Sequence, residues 1–304
     1  MFVTCHAMAV YGQPQAENII PINDYLIKTL STDEGLPMNQ LNYLDASENG
    51  FIWIGTFEGL VRYDGVHFEK INHQQFPALK GGAFDVKIDG NGSVWSFDTN
   101  HRVLLRYDSD GEMRHWETKS YTKVVDYTLF KNWSDDVVFL GGNRFFQIKD
   151  GTIADYNISG LDGLDIHSAL FADDSSLWVA DTNNGLYCIK GGLRTRFEPI
   201  ELGAHSNRIV ELEQGIDHSV WAISSDNDLL HYSHNQWRVY TDPALRKSGP
   251  TRDLLAQSNG TVWIGTQNGL FRFNDGRIER LPDTPNQDAD HVFCLLYTSD
   301  AADD

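Results

Sequence analysis

A short motif recurs along the chain, and it constrains the fold more than any other feature of the sequence. Residues 50–65 read GFIWIGTFEGLVRYDG, and residues 260–276 read GTVWIGTQNGLFRFNDG. Each of these two copies includes or follows an Asn-Gly pair, at 49–50 and at 259–260. Four weaker copies lie between them and begin at Gly92, Val137, Ser176 and Ser219. A chain with so regular a repeat builds its core by stacking similar units side by side.

Each copy carries one large apolar side chain at the same place, which we term the anchor. The six anchors are Trp53, Trp95, Phe139, Trp178, Trp221 and Trp263. Val138 is an alternative anchor for the third copy, which aligns loosely. Gly55 and Gly265 follow their anchors closely, where a residue without a side chain lets sheets approach each other. Because aromatic anchors bury large areas, we expect these residues in the core and not in a ligand site.

The spacing of the anchors indicates the architecture. Successive anchors are 42, 44, 39, 43 and 42 residues apart, which matches the roughly 40–45 residues of a four-stranded propeller blade. In the first copy, strands are expected at Leu41–Leu44, around Trp53, at Leu60–Tyr63 and at His67–Ile71, with turns of Gly, Asn and Asp between them. Helical periodicity is nearly absent. The sequence therefore predicts an all-β chain that folds as a β-propeller of four-stranded blades.

The repeats predict six blades plus the start of a seventh. The six lie between residue 41 and the region of residue 282, and the seventh begins at Asp290–Phe293. Tyr25–Thr32 alternates polar and apolar residues like an outer blade strand, so it is predicted to close the ring from the other side. On this interpretation the propeller domain spans residues 25–293, and the chain stops inside an incomplete seven-bladed ring.

Two terminal segments are predicted to stand outside this domain. Residues 1–16 are mildly apolar and contain no Lys or Arg, so they resemble the back half of a signal peptide; a disordered tail is the alternative. Residues 294–304 read CLLYTSDAADD, which resembles a translated adapter sequence on a gene fragment. We interpret that segment as an artefact, with a natural acidic tail as the alternative.

Residues 31–65 resemble the two-component regulator propeller repeat. The resemblance is carried by GLP-x-N at 35–39 and by WIGT-x-x-GL-x-R-Y-D-G from Trp53 to Gly65. Residues 260–276 match nearly as well, without the GLP start, and the four middle copies depart from the pattern. The resemblance implies the periplasmic sensor domain of a bacterial hybrid histidine kinase or diguanylate cyclase, on the outer face of the inner membrane. It implies membrane attachment only through a missing C-terminal segment, and it allows a homodimer in the full receptor.

Charge and motifs exclude several functional classes. With 24 Lys and Arg against 43 Asp and Glu, the formal net charge is −19, so nucleic acid and anionic lipid are not expected as partners. The three cysteines are far apart and predict neither a zinc site nor a disulfide framework. We find no H-E-x-x-H, G-x-S-x-G or P-loop motif. We therefore expect no catalytic residue, no metal and no cofactor in this chain.

The remaining prediction is a ligand site at one mouth of the propeller channel, formed by the loops that lead into the innermost strands. These loops hold Asn39, Gln40, Lys80, Lys123, Asp165, His167, Asn207, Arg208 and Arg252. The basic residues among them suggest a small-molecule or oligosaccharide ligand that is anionic or polyhydroxylated, such as an acidic saccharide, because Arg pairs with carboxylates through two parallel hydrogen bonds. The alternative is that solvated loops carry Lys and Arg without any ligand.

Two other functional classes stay open at this point. A secreted propeller enzyme, such as a lyase that opens cyclic antibiotics or a glycosidase, needs clustered His and Glu side chains at the mouth. The histidines expected nearest to the mouth are His167, His205 and His291. A protein–protein scaffold needs an exposed apolar patch on one face instead. We expect a sensor that binds a ligand and is not itself an enzyme.

Overall fold

The computed structural model describes residues 7–11, 26–30, 32–38, 41–98, 101–119, 121, 127–183, 185–216 and 218–281. The predicted fold class is confirmed, because these residues form a β-propeller of six four-stranded antiparallel blades with almost no helix. The chain divides into two compact units. We term Leu41–Glu198 the four-blade unit, and Met1–Gln40 together with Pro199–Asp304 the two-blade unit.

The first strands of the chain form a small sheet of their own. β1 (Ala7–Tyr11) pairs antiparallel with β2 (Leu26–Leu30), and a 3-10 turn follows at Thr32–Glu34. β2 lies in the segment predicted as the outer strand of the last blade, and its partner among the described residues is β1. The pairing does not test the interpretation of residues 1–16 as a leader. The predicted start of a seventh blade at Asp290–Phe293 and the tail at 294–304 lie outside the described residues.

The four-blade unit contains blades 1 to 4, each a simple meander. Blade 1 consists of β3 (Leu41–Ala46), β4 (Ile52–Thr56), β5 (Gly59–Tyr63) and β6 (Phe68–Ile71). Blade 2 consists of β7 (Val86–Ile88), β8 (Val94–Asp98), β9 (Val103–Tyr107) and β10 (Met113–Glu117). Blade 3 consists of β11 (Tyr127–Lys131), β12 (Val137–Gly141), β13 (Arg144–Lys149) and β14 (Thr152–Asp155). Blade 4 consists of β15 (Ile166–Phe171), β16 (Leu177–Asp181), β17 (Gly185–Lys190) and β18 (Leu193–Phe197).

The two-blade unit contains blades 5 and 6. Blade 5 consists of β19 (Ile209–Gln214), β20 (Val220–Ser224), β21 (Leu229–Ser233) and β22 (Gln236–Tyr240). A single helical turn, α1 (Pro243–Arg246), connects it to the next blade. Blade 6 consists of β23 (Thr251–Ala256), β24 (Val262–Thr266), β25 (Gly269–Asn274) and β26 (Arg277–Arg280). Within each unit the first strands of neighbouring blades pack against one another, so the first strand of each blade is the innermost.

The two strong repeats share the WIGT-x-x-G residues because these residues form the turn after the second strand. The buried Thr56 hydroxyl donates a hydrogen bond to the Gly59 carbonyl at 2.9 Å and accepts one from the Glu58 amide at 3.2 Å. Gly59 has φ +128°, a conformation that a residue with a side chain rarely adopts. Thr266 and Gly269 repeat this geometry in blade 6, with a hydroxyl-to-carbonyl distance of 2.8 Å. The WIGT-x-x-G motif therefore forms a turn in which the threonine hydroxyl bonds to the backbone of the same turn.

The aromatic anchors are all buried, but the third blade uses a different residue at the equivalent register position. In the other blades the anchor is the second residue of the second strand, and that residue in β12 is Val138. Phe139 is 1% exposed and packs with Trp95 and Phe97 of the preceding blade. Val138 packs instead with Leu177 and other residues of the following blade, as anchors do. The register therefore assigns the anchor position to the alternative residue.

Close contacts and carboxylates join neighbouring blades. A Cβ on Gly55 would lie 2.6 Å from the Ala83 carbonyl oxygen, so only glycine fits there. Asp45 accepts a hydrogen bond at Oδ2 from the Ile88 amide of the next blade at 2.9 Å, and its Oδ1 accepts one from the Ala46 amide. Asp85 accepts one at Oδ2 from the Leu129 amide at 2.6 Å. Each of these carboxylates therefore ties one blade to the innermost strand of the next.

Candidate ligand-binding site

The loops into the innermost strands and the turns between second and third strands lie at the same end of each blade, which we term the entry end. The register shows this directly, since the start of β23 pairs with the end of β24 (Thr251 with Thr266) and the start of β19 pairs with the end of β20 (Ile209 with Ser224). Residues far apart in sequence can therefore meet at the entry end. The most elaborate polar cluster among the described residues lies here, in the two-blade unit.

Asp228 is the centre of that cluster. Its carboxylate is fully buried and accepts hydrogen bonds from the His205 backbone amide at 2.6 Å and from the His205 ring Nδ1 at 3.0 Å. The Asp228 amide in turn donates to the Ser224 hydroxyl at 3.0 Å. A buried carboxylate that receives two hydrogen bonds from one residue fixes both the backbone and the ring of that residue. His205 is thus held in one orientation at the loop that leads into β19.

Arg246 completes the cluster from α1. Its Nη1 lies 3.2 Å from His205 Nε2, and its Nε lies 4.0 Å from Asp228 Oδ1. A guanidinium donates and never accepts, so Nε2 is the acceptor in this contact. The geometry therefore assigns the ring proton to Nδ1, where it is donated to Asp228. Both ring nitrogens of His205 are engaged.

The loop that carries Arg246 is itself tethered by Asn227. This buried residue has φ +62° at the turn between β20 and β21. Its side-chain amide donates to the Leu245 and Gly249 carbonyls at 3.0 and 2.6 Å, and its oxygen accepts from the Thr251 hydroxyl at 2.9 Å. A buried amide with its donors and acceptor satisfied is a rigid cross-link. The position of Arg246 is therefore set by the fold and not by solvent.

A cavity of about 430 Å³ opens beside this cluster. Its lining consists of His205, Thr241, Asp242, Pro243, Arg246 and Lys247. Asp242 caps the N-terminus of α1 through Oδ1 alone, which accepts from the Ala244 and Leu245 amides at 2.8 and 2.9 Å. The lining therefore carries two cationic side chains, from Arg246 and Lys247, against this one carboxylate. Such a site favours an anion of small-molecule size.

The mouth residues predicted in the two-blade unit lie at the entry end, around the inner strands. Asn207 uses its side-chain oxygen to accept the Ile200 amide at 2.9 Å, which is a structural role in its own loop. Arg208 is exposed, and its amide donates to the Ser206 hydroxyl at 3.1 Å. Arg252 is an exposed residue of β23. None of these three lines the cavity, whereas His205, one of the histidines predicted near the mouth, does.

The mouth residues predicted in the four-blade unit are more scattered. Lys80 is exposed in the loop before β7, and His167 is an exposed residue of β15. The Asp165 amide donates to the buried Asp181 carboxylate at 2.8 Å, which anchors the loop into β15. Asn39, Gln40 and Lys123 lie outside the described residues.

Bulges explain why two of the predicted residues point away from the sheet. The register of the innermost strand shifts at its second residue in blades 1, 4, 5 and 6. The extra residues are Asn42, His167, Val210 and Arg252. A bulge leaves one residue out of the ladder and re-aims its side chain. His167 and Arg252 are therefore displayed at the entry end by backbone geometry that strand alternation alone does not indicate.

A second buried aspartate with a histidine occurs at the entry end of the four-blade unit. Asp98 is fully buried and accepts hydrogen bonds from the Gly81 amide at 2.8 Å and from the His101 amide at 3.1 Å. The His101 ring Nδ1 lies 2.9 Å from the same carboxylate. Neither pair was predicted from the sequence, where the available signal is a recurring Asp or Ser at the end of the second strand or in the turn after it.

No group of three or more His, Cys, Asp or Glu side chains among the described residues is placed to hold a metal ion. None of the helices in the described ranges is long and apolar enough to cross a bilayer.

Comparison with known proteins defines the fold and leaves the family open. No protein-family model matches the sequence, and no curated protein matches it. Among solved structures, the extracellular domain of a hybrid two-component system from B. thetaiotaomicron is 18% identical with a TM-score of 0.68, over 88% of this chain and 38% of that one. Virginiamycin B lyase from Staphylococcus aureus is 17% identical with a TM-score of 0.65, over 80% of this chain and 84% of the lyase. A catalytically inactive His-to-Ala variant of that lyase with quinupristin gives a TM-score of 0.66 at 17% identity, over 81% of this chain and 85% of that one. At these identities the likeness shows the propeller fold alone.

Proposed function

We propose that this chain is the ligand-binding part of an extracytoplasmic bacterial receptor, and that its occupancy biases an output domain elsewhere in the receptor. The observation that carries the proposal is the cavity beside His205 and Arg246 at the entry end of the two-blade unit. The sequence resemblance to the two-component regulator propeller and the extracellular two-component domain among the structural neighbours support the sensor role and the periplasmic location.

The ligand we propose is a small acidic saccharide, such as an oligomer of uronic acid. The chain as a whole carries a net charge of −19, so its surface repels anions in general. An anionic ligand is therefore held only where basic groups are gathered, and Arg246 and Lys247 line one cavity against the single carboxylate of Asp242. The exposed part of the Arg246 guanidinium offers paired donors to a carboxylate, while hydroxyl groups of the sugar are suited to the smaller polar groups around it.

Catalysis is the second candidate function, and the lyase among the structural neighbours is the observation that favours it. The His-to-Ala variant of that lyase is catalytically inactive, so a histidine is the group to consider in this chain, and His205 lines the entry-end cavity. His205 is a poor general base in the geometry described, because Nδ1 faces Asp228 and Nε2 receives a donor from Arg246. A general base needs a nitrogen free to take a proton from its substrate. This contact favours binding over proton abstraction.

The test is calorimetric titration of the whole chain with trigalacturonate, with neutral maltotriose as the control sugar. We expect trigalacturonate to bind and Arg246→Gln to weaken its binding by roughly tenfold or more, since a charge-assisted hydrogen bond contributes on the order of 1.5–3 kcal/mol. Arg277→Gln is the matched control, because Arg277 is an exposed arginine on the outermost strand of blade 6 and does not line the cavity. It should bind like the wild type.

Three results would count against the proposal. Equal binding of the two sugars would show that the ligand need not be anionic. Equal weakening of binding by Arg246→Gln and Arg277→Gln would show that the ligand does not bind in this cavity. Incubation with quinupristin, followed by mass spectrometry, tests the enzyme directly. A ring-opened product that is absent with His205→Ala would establish the lyase in place of the sensor.

A further inference from the structure

A second cleft lies at the opposite end of blades 5 and 6, which we term the far-end cleft. Its volume is about 340 Å³, close to the lower limit of roughly 300 Å³ for small-molecule sites. Its lining consists of Ile216, Trp221, His231, Arg238, Tyr240, Gln257, Gly260, Phe273, Asp275 and Gly276. Half of these residues lie in the turns between first and second strands or between third and fourth strands, and the other half lie in strands of blades 5 and 6. The cleft shares no residue with the cavity at the entry end.

Blade 5 differs from blade 6 in the row of side chains that faces this cleft. In blade 6 the cross-strand neighbours are Trp263, Arg272 and Glu279, and the buried Arg272 pairs with Glu279 at 2.7 Å. The equivalent row in blade 5 is Trp221, His231 and Arg238. The arginine of this row in blade 5, Arg238, lies on the outermost strand, where it is exposed and has no acidic partner among the described residues.

His231 does not add charge to the cleft. Its ring stacks on Trp221 with centroids 3.8 Å apart and an interplanar angle of 6°. Burial lowers the pKa of His231 to about 4, with further lowering from Arg238 and His234. The imidazole is therefore neutral at physiological pH. The formal charges that line the cleft are one guanidinium, from Arg238, and one carboxylate, from Asp275, and they balance.

The anchor of blade 5 also keeps a free donor at the cleft. In blade 6 the indole N–H of Trp263 donates to Gln257 Oε1 at 3.1 Å, and in blade 2 that of Trp95 donates to Asp89 at 2.8 Å. Blade 5 has Gly215 at this place, and the Trp221 indole has no acceptor among the described residues. A Cβ on Gly215 would lie 2.8 Å from the indole nitrogen. The site therefore excludes a side chain where the other two blades place an acceptor.

A neighbouring hydroxyl repeats this pattern. Ser219 is 3% exposed, and its Oγ has no hydrogen-bond partner among the described residues. The same Cβ position on Gly215 lies 2.2 Å from this oxygen, so the hydroxyl and the Trp221 indole flank one point. Buried polar atoms in native proteins are rarely left without partners unless another molecule supplies them.

We propose that the far-end cleft binds one neutral pyranose sugar. The balanced pair of Arg238 and Asp275 supplies donors and acceptors for adjacent hydroxyl groups, and the Gln257 amide adds a further donor beside them. Tyr240 and the His231–Trp221 stack supply the aromatic wall against which the apolar face of a sugar ring packs. An acidic sugar would face the Asp275 carboxylate, so a neutral one fits better. This site does not depend on the function proposed for the entry end.

Saturation-transfer NMR on the whole chain tests the proposal, with the methyl β-pyranosides of glucose, galactose and mannose as probes. We expect saturation transfer to the ring protons of at least one sugar, with millimolar affinity. Arg238→Gln and Asp275→Asn should each weaken binding by roughly tenfold, because each removes a charge-assisted hydrogen bond. Both residues are exposed, so both variants should retain the wild-type circular dichroism spectrum.

Two control variants locate the signal. Arg277→Gln changes an exposed arginine beside the far-end cleft that does not line it, and Arg246→Gln changes the entry-end cavity. Both should bind the sugar like the wild type. The proposal is overturned if none of the three sugars receives saturation, if Arg238→Gln and Asp275→Asn bind normally, or if Arg246→Gln alone abolishes the signal.

Discussion

Blades 1 and 6 share an ion pair that blade 5 lacks. In blade 1 Arg62 pairs with Glu69 at 2.5 Å, and in blade 6 Arg272 pairs with Glu279 at 2.7 Å. In blade 5 a histidine and an arginine take these two places, and among the described residues this arginine has no acidic partner and the anchor indole has no acceptor. The two blades that match the repeat thus keep the pair, and blade 5 departs from the repeat where the pair is lost.

This difference gives the divergent copies a functional meaning. A repeat position that serves only the fold can be satisfied the same way in every blade. Where a residue differs from the repeat and leaves polar groups without partners in the blade, we expect that residue to serve a function and not the fold. In the two-blade unit, the entry-end cavity is built from the loops before and after blade 5, and half of the residues that line the far-end cleft belong to blade 5. The comparison can be tested one polar group at a time.

The largest effect is expected at Asp85, in divergent blade 2. Burial raises the pKa of Asp85 to about 6 from its ordinary value of 3.8, and Oδ1 has no partner among the described residues. The folded state therefore binds this proton more tightly, so the stabilisation is complete below about pH 4 and is lost as the pH rises through 6. At pH 7.5 the ionised form costs on the order of 3 kcal/mol.

Asp85→Asn should accordingly raise the free energy of unfolding at pH 7.5 by about 2 kcal/mol, because the buried amide that replaces the charge loses roughly 1 kcal/mol of that gain. Urea unfolding at pH 4 and pH 7.5 measures the effect, and the gain should vanish at the lower pH. Asp45→Asn in blade 1 is the control, since both Asp45 oxygens accept hydrogen bonds. A pH-independent effect at Asp85 would contradict the assigned cause.

The repeat allowed the fold to be predicted because one short motif reports the second strand of every blade. Spacing between large side chains is insensitive to an error of one residue, so six of the predicted blades are confirmed even though Phe139 occupies the position next to the anchor. The pairing register of a strand must be known to the exact residue, because a shift of one residue moves every side chain to the opposite face of the sheet. Only the packing of Val138 with blade 4 and of Phe139 with blade 2 resolves it.

The site was harder to predict than the fold. Loops at the entry end are recognisable from strand order, which placed His205 and Arg252 in the right region. Asp228 and Arg246 could not be singled out, because one is among 43 acidic residues and the other lies in a single helical turn. They are separated from His205 by 23 and 41 residues in the sequence, so they meet only once blade 5 and the loops before and after it have folded.

The next effect in size compares the two arginine rows of the two-blade unit. Glu279→Ala removes the partner of Arg272, which is 4% exposed, and should lower the free energy of unfolding by about 1–2 kcal/mol. The half-exposed position of Glu279 keeps this below the cost of breaking a fully buried pair. Arg238→Ala in blade 5 should change stability by less than about 0.5 kcal/mol. Equal losses in the two variants would show that the arginine rows of blades 5 and 6 contribute equally to stability, which contradicts the difference described here.

The smallest effect concerns the turn that defines the regular blades. Thr56→Val and Thr266→Val keep the side-chain shape and remove a buried hydroxyl that both donates and accepts a hydrogen bond. Each should cost about 1 kcal/mol, measured by urea unfolding, because the turn amide and carbonyl lose a partner that water reaches only in part. The two losses should agree, since the geometry is the same. A loss in one variant only would mean that neighbouring residues, and not the hydrogen bonds of the motif itself, stabilise the turn.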